Sequence, residues 1–213
     1  MVFFRQLRNY FSLSIIIIFF SFSNQLFGSE AKRIEKIEAY LNGIQTLEAN
    51  LLQTDPYGKQ ISGTIKLKKP GKLRIEYDSP KADHLILASN GVLAIIDYGS
   101  NAEPLRYPIN KTPLKYLSNK KLDLLDPLIA SSISVIENQV RLEIKEIDNT
   151  LGSGRIILKF GVDPISITGW EIPLNDEQKT EIKLQNLRIN SDIKDDLFYV
   201  SAELMKFYNK MNE

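Results

Sequence analysis

From residue 30 onward the apolar positions first recur at helical spacing. Ile34, Ile37, Leu41 and Ile44 share one face, with Lys32, Arg33, Glu35, Lys36 and Glu38 between them, which predicts an amphipathic helix from Glu30 to about Gly43. Beyond Gly43 the period drops to two. Ile61, Gly63, Ile65 and Leu67 alternate with Ser62, Thr64, Lys66 and Lys68; Pro70 and Gly71 supply a turn; Leu73, Ile75 and Tyr77 then alternate with Lys72, Arg74 and Glu76. This is an antiparallel hairpin with one charged and one aliphatic face. A second hairpin is predicted where His84 to Ala88 and Val92 to Asp97 flank Asn90 and Gly91. Val140, Leu142 and Ile144 alternate with Arg141, Glu143 and Lys145, and a turn at Gly152, Ser153 and Gly154 leads into Ile156, Leu158 and Phe160. With Ile165 to Ile172, Thr180 to Ile189 and Leu197 to Val200, the chain offers roughly ten strands in hairpin order, which favours a curved antiparallel sheet or open barrel over parallel units. Thr112 to Leu117 and Leu122 to Ile129 read instead as short apolar helices interrupted by Pro113 and Pro127. The sheet's apolar face needs a cover, and the front helix and these two segments are the ones available. Periodicity leaves open whether they close over packed core or over a cavity.

The first thirty residues stand apart. Arg5 and Arg8 precede a charge-free stretch whose centre carries Ile15, Ile16, Ile17, Ile18, Phe19 and Phe20, followed by polar Ser23, Asn24 and Gln25 and by small Gly28 and Ser29. That is the layout of a secretory signal peptide, too short in its apolar centre for the roughly 20 residues of a membrane-spanning helix. We expect residues 1–28 to be a signal peptide and residues 29–213 to be a single domain. Of 27 basic residues, loss of Arg5 and Arg8 leaves 25 against 26 acidic ones, and no basic run offers a phosphate-binding face. Nucleic acid is not an expected partner. Without cysteine and with one histidine, the chain can hold no disulfide, thiol nucleophile, cysteine-ligated zinc or multi-histidine metal site, and no cofactor or metal is expected. A lipoprotein anchor would also need a cysteine.

The remaining chemical candidates are weak. Asp83 and His84 lack a nucleophile elbow to complete a hydrolytic triad. The pairs Asp123 with Asp126 and Asp195 with Asp196 fall in turn or cap contexts. Gly152, Ser153 and Gly154 lack the lysine of a phosphate loop, and Trp170, Tyr77, Phe160 and Phe198 are spaced as core rather than as a base-stacking platform. No convergent set of titratable groups points to an enzyme.

Several segments taken in order resemble a known family: LEANLLQ from Leu47 to Gln53, GTIKLKKPGKLRIEYDSP from Gly63 to Pro80, Ser89 to Gly91, TPLKYL from Thr112 to Leu117, and ITGWEIPLNDEQKTEIKLQNL from Ile167 to Leu187. Together they resemble the LolA family of periplasmic lipoprotein carriers over about Glu30 to Val200. The resemblance implies a mainly β fold with helices, an α+β class in which a single curved antiparallel sheet forms an unclosed β-barrel under an N-terminal helix and a short helical lid. It also implies a location in the periplasm and a carrier acting as a monomer. Its partners would be the acyl chains of outer-membrane lipoproteins, an inner-membrane LolCDE-like ABC transporter, and an outer-membrane LolB-like acceptor where one exists. A triacylated cargo exposes on the order of 40 methylenes, about 30 kcal/mol against crossing water, which a covered apolar groove would remove.

On the strand face opposite the charged one, the expected acyl-chain walls are Ile65, Leu67, Leu73, Ile75 and Tyr77, then Leu142, Ile144, Ile156 and Leu158, then Ile182 and Leu184. The lid residues implied are Pro113, Leu114, Leu117, Leu125 and Leu128. In the family an arginine before the proline of the strand turn locks the lid by hydrogen bonds to lid backbone; Lys69 occupies that position here, with an ammonium in place of the guanidinium fork. Leu93 to Asp97, LAIID, is more aliphatic than in relatives. A lipid-binding, structural or sensing module of the same fold, without lipoprotein transfer, is the alternative reading.

Overall fold

The computed structural model describes residues 30–78, 84–100, 102–146 and 154–212. The expected signal peptide and most of the 152–154 turn lie outside the described residues. The chain divides between Ile37 and Glu38 into two units. Of the first, residues 30–37 are helical; the helix (α1, residues 30–43) ends within the second unit, which carries everything else described below.

Eleven strands form one antiparallel sheet. In chain order they are β1 Thr46–Thr54, β2 Gln60–Lys68, β3 Lys72–Tyr77, β4 His84–Ser89, β5 Val92–Asp97, β6 Leu105–Pro108, β7 Ile129–Ile136, β8 Gln139–Glu146, β9 Arg155–Val162, β10 Ile165–Pro173 and β11 Lys179–Ile189. The spatial order β6-β5-β4-β3-β2-β1-β11-β10-β9-β8-β7 ends on two strands that do not pair with each other, so the sheet is not closed. Every junction is a hairpin except β1 with β11, which joins the two halves. A bulge at Glu48/Asn50 kinks the β1-β11 ladder itself, and a second at Ile167/Gly169 kinks the β9-β10 ladder. Gly169 carries φ +151° there, and a Cβ would stand 2.0 Å from the Ile182 carbonyl oxygen, so only glycine fits. Asn90 and Gly91 both take positive φ, as the two-residue β4-β5 turn requires.

Three expectations from the sequence fail. Leu197 to Val200 is not a strand: Asp195–Phe198 is a 3-10 turn, and Val200–Met211 is a helix, α3. Its apolar positions Val200, Leu204, Phe207, Tyr208 and Met211 recur at helical spacing, the signal that a four-residue window missed. Leu122 to Ile129 is not a helix either. Asp123 and Asp126 accept the amides of Leu125 and Leu128 at 3.0 and 2.8 Å in successive Asx turns, and the chain enters β7 at Ile129. Thr112 to Leu117 is helical only from Lys115, as the four-residue α2, Lys115–Ser118.

Cross-strand pairing places Leu47, Ala49 and Leu51 of β1 on the same side as Ile65, Leu67, Leu73 and Ile75, and this aliphatic side is called the inner face. On the outer face of β4 and β5, Leu85, Leu87, Ala94 and Ile96 form a second core with Ile193, Phe198 and Phe207, closed by Leu204 and Tyr208 of α3. These two strands are therefore buried on both sides. The helix is held by polar contacts too: Arg74 donates to the Leu197 carbonyl at 3.0 Å and to Glu203 at 3.1 Å, and Tyr98 donates to Glu203 at 2.7 Å.

Candidate apolar site beneath a hydrogen-bonded strap

All eleven residues expected as walls lie on the inner face. Ile65 pairs with Ile75 and Leu67 with Leu73; Leu142 pairs with Leu158 and Ile144 with Ile156; Ile182 and Leu184 stand opposite Gln53 and Leu51. Nine are buried, whereas Tyr77 and Leu184 are half-buried. Tyr77 donates its hydroxyl to Gln53 at 2.6 Å, and burial pushes that phenol up to about 12. Trp170, Phe160 and Ile167 complete the floor and are at most 3% exposed. Alternation along β2, β3, β8 and β9 was enough to choose the face. It could not do so on β4 and β5, whose runs 85–88 and 92–96 are apolar throughout because α3 covers the other side; Ile86 and Ile95 face inward there and were missed.

The roof is made by residues 38–44, α2 and the strap 119–128. Leu117 is buried and meets Leu41, Ile44, Leu47, Ile65, Leu67, Ile167, Trp170 and the Lys69 side chain around a cavity of about 20 Å³. That is room for about one water molecule, so the inner face is nearly filled at this end. At the far end a groove of about 300 Å³ opens between Gln53, Ile61, Tyr77, His84, Ile86 and Ile95. His84 pairs with Asp97 at 3.3 Å on its rim.

The expected lid residues divide. Pro113 and Leu114 form the turn into α2 and are half-buried, and Leu117 points inward, but Leu125 and Leu128 are 72% and 68% exposed. Leu122 and Leu124 are the residues of the strap that bury, at 3% and 2% exposed. The Asx turns set this alternation, turning Leu125 and Leu128 outward.

What fastens the roof is a short series of hydrogen bonds. Lys69 Nζ donates to the Leu41 carbonyl at 2.8 Å, not to the lid backbone expected of it, and burial lowers its pKa. The acceptor belongs to the last turn of α1, where a cation also meets the negative end of the helix dipole. The next residue, Asn42, clasps the strap both ways: its amide donates to the Leu122 carbonyl at 2.9 Å and its oxygen accepts the Leu122 amide at 2.8 Å. One turn earlier Glu38 accepts the Leu124 amide at 2.8 Å, and the Gly71 amide donates to Ser118 of α2 at 2.8 Å. Neither Asn42 nor Glu38 was visible as a site residue, because both sit on the polar side of an amphipathic pattern. Asn42→Ala leaves two buried backbone groups without partners and should destabilise the chain by about 1–3 kcal/mol. Amide exchange at Leu122 and Leu124 should accelerate in that variant while the β2-β3 ladder stays protected; unchanged exchange in the strap would show the clasp does not hold it.

On the outer face of the other half-sheet, Glu171 is 2% exposed and accepts from Arg141 at 2.8 Å, Lys159 at 2.5 Å and Lys179 at 2.7 Å, while Lys159 also bonds Glu181. This network closes a charged layer against the back of the inner core.

The family model described as outer membrane lipoprotein carrier protein LolA matches residues 42–201. Among solved structures, the chain is similar to a LolA superfamily protein from Nitrosomonas europaea, with 10% identity, TM-score 0.45, and coverage of 79% of this chain and 98% of the other. It is similar to a domain from Vibrio parahaemolyticus named for outer membrane lipoprotein sorting, with 10% identity, TM-score 0.49 and coverage of 83% and 99%. It is also similar to a chain of the Pseudomonas aeruginosa MucA/MucB complex, with 11% identity, TM-score 0.44 and coverage of 78% and 59%. No curated protein matches by sequence.

Proposed function

Because the chain belongs to the LolA family, we propose that it is an exported, non-enzymatic carrier that holds the acyl chains of lipoproteins on its inner face and passes them toward the outer membrane. The observation that supports this most directly is the contrast between floor and roof. The floor is a continuous apolar sheet face; the roof is a four-residue helix and a strap, tied to the sheet side by Gly71, Ser131 and the Lys115–Glu146 pair and to the end of α1 by Asn42 and Glu38, while Lys69 holds that end at the Leu41 carbonyl. A roof with so few ties can lift without breaking any strand pairing. Among the described residues, no helix is long and apolar enough to cross a membrane.

In this reading residues 1–28 direct export, Ile65, Leu67, Leu73, Ile75 and their partners across the sheet contact the chains, and Lys69 locks the roof. A LolCDE-like transporter supplies the cargo and a LolB-like acceptor receives it where one exists. The near absence of space beneath Leu117 favours a second reading, a structural or sensing module with a filled interior. Expression in a periplasm with a tagged lipoprotein separates the two. Stoichiometric triacylated cargo in the purified protein, released by acceptor membranes, is the expected result. A protein that carries none and takes up no apolar fluorophore would leave the filled module.

A further inference from the structure

The two edges of the sheet are built differently. β6 has four residues, carries Arg106 and ends on Pro108, which has no N–H to offer a neighbour. Charge, shortness and proline are devices that keep a sheet edge from recruiting another strand. β7, at the other edge, has none of them. It runs for eight residues, Ile129–Ile136, without a charge or a proline. Its register against β8 is unbroken from Ile129 opposite Glu146 to Ile136 opposite Gln139, so no bulge twists it away. Among the described residues no strand pairs with its far side. The strap covers only the start of this edge: the Ile129 amide donates to the Asp126 carbonyl at 2.9 Å and Ser131 Oγ to the Leu124 carbonyl at 3.2 Å. Beyond it Ser132, Ser134, Val135 and Ile136 are exposed, the last two at 44% and 54%. Glu137 and Asn138, with φ +48° and +64°, close the hairpin as a two-residue I′ turn. In such a hairpin the closing pair, Ile136 with Gln139, exchanges both ladder hydrogen bonds, and every second pair does the same. Val135 lies between two of those pairs and so directs its N–H and C=O away from β8.

We propose that this edge is a self-association site, where β7 of one copy pairs antiparallel with β7 of a second across a two-fold axis. Charge selects the occupant. A strand rich in either sign finds no counter-charge on β7, whereas β7 set against itself brings no repulsion. The protected β6 cannot serve as the complement, so copies do not add head to tail, and the assembly closes at two instead of growing into a fibre. This inference does not depend on what the inner face carries, and it replaces the monomer that the family resemblance implies.

The test is sedimentation equilibrium of the protein purified from the periplasm, with Val135→Lys and Leu174→Lys beside it. A seam this short lies at the small end of protein interfaces, so wild type should be half dimeric at about 100 μM. Val135→Lys puts an ammonium on each side of the axis and should weaken the dimer at least about tenfold. Its urea midpoint at low concentration should stay at the wild-type value, because the side chain is already 44% exposed. Leu174→Lys removes a leucine that is 62% exposed beyond the end of β10 and should change nothing. Exchange of the backbone amide at position 135 should slow with rising concentration in wild type and not in Val135→Lys. A wild type that stays monomeric to about 1 mM, or a dimer that survives Val135→Lys, overturns the proposal. Equal weakening by Leu174→Lys does so too, because the association is then non-specific. A monomer that nonetheless binds a tagged peptide of residues 129–136 overturns self-association and gives the edge to an extended segment of another protein.

Discussion

Phe207→Ala should lower the free energy of unfolding by about 3–5 kcal/mol, read as a fall in the urea midpoint at unchanged slope. Phe207 is 1% exposed and sits between α3 and the outer face of β4 and β5, where Leu85, Leu87, Ala94 and Ile96 depend on it for cover. Its ring meets Tyr98 at 6.2 Å and Tyr208 at 5.5 Å, so truncation also removes two aromatic contacts. The surroundings cannot collapse into the gap, because the helix is pinned at Glu203 by Arg74 and Tyr98. Uptake of an apolar probe per folded molecule should not change, since the damage lies on the face opposite the strap. A loss under 1 kcal/mol would mean that α3 does not dock in solution.

The second large effect concerns Glu171. Burial pushes its carboxyl up, but hydrogen bonds from Arg141, Lys159 and Lys179 outweigh that and hold it down at about 2 against an ordinary value of 4.5. A folded-state value below the unfolded one contributes stability that is complete above about pH 4.5 and is lost as the pH falls toward 2. Glu171→Ala should cost about 3 kcal/mol at neutral pH, because it leaves Lys159, 6% exposed, with Glu181 alone. It should also flatten the acid limb of the stability profile between pH 5 and 2. Lys179→Ala removes a half-exposed member of the same network and should cost at most about 1 kcal/mol. Equal losses for the two variants would show that burial of Glu171 does not set the strength of the network.

These two sites fall on opposite sides of what the sequence made readable. The β2-β3 hairpin and the β8-β9 pair alternate charge with aliphatic residues because one side of each faces water, so their register and inner face follow from a period of two. The family resemblance rested on the first of these and on segments of β1, β10 and β11, not on β8-β9. Where a strand is covered twice, as β4 and β5 are, alternation vanishes and the covering helix has to be found elsewhere. It was present in Val200, Leu204, Phe207 and Met211, hidden behind the apolar run Leu197 to Val200. The strap was misread for a different reason: its leucines at 122, 124, 125 and 128 suit a helix by composition, but Asp123 and Asp126 turn the chain through their side chains. The ties at Asn42 and Glu38 join residues about 80 positions apart, and no local pattern encodes such a contact.

The open order of the sheet has a mechanical meaning. In a closed barrel the bore is fixed by strand number and stagger, and only a guest of matching girth fits. Here β6 and β7 share no ladder, so small changes of twist summed over eleven strands can widen the interior while every backbone bond between neighbours stays made. For the carrier proposed above, capacity would be elastic: the guest's bulk would be balanced against the side-chain contacts it parts, and one scaffold would accept passengers of different thickness.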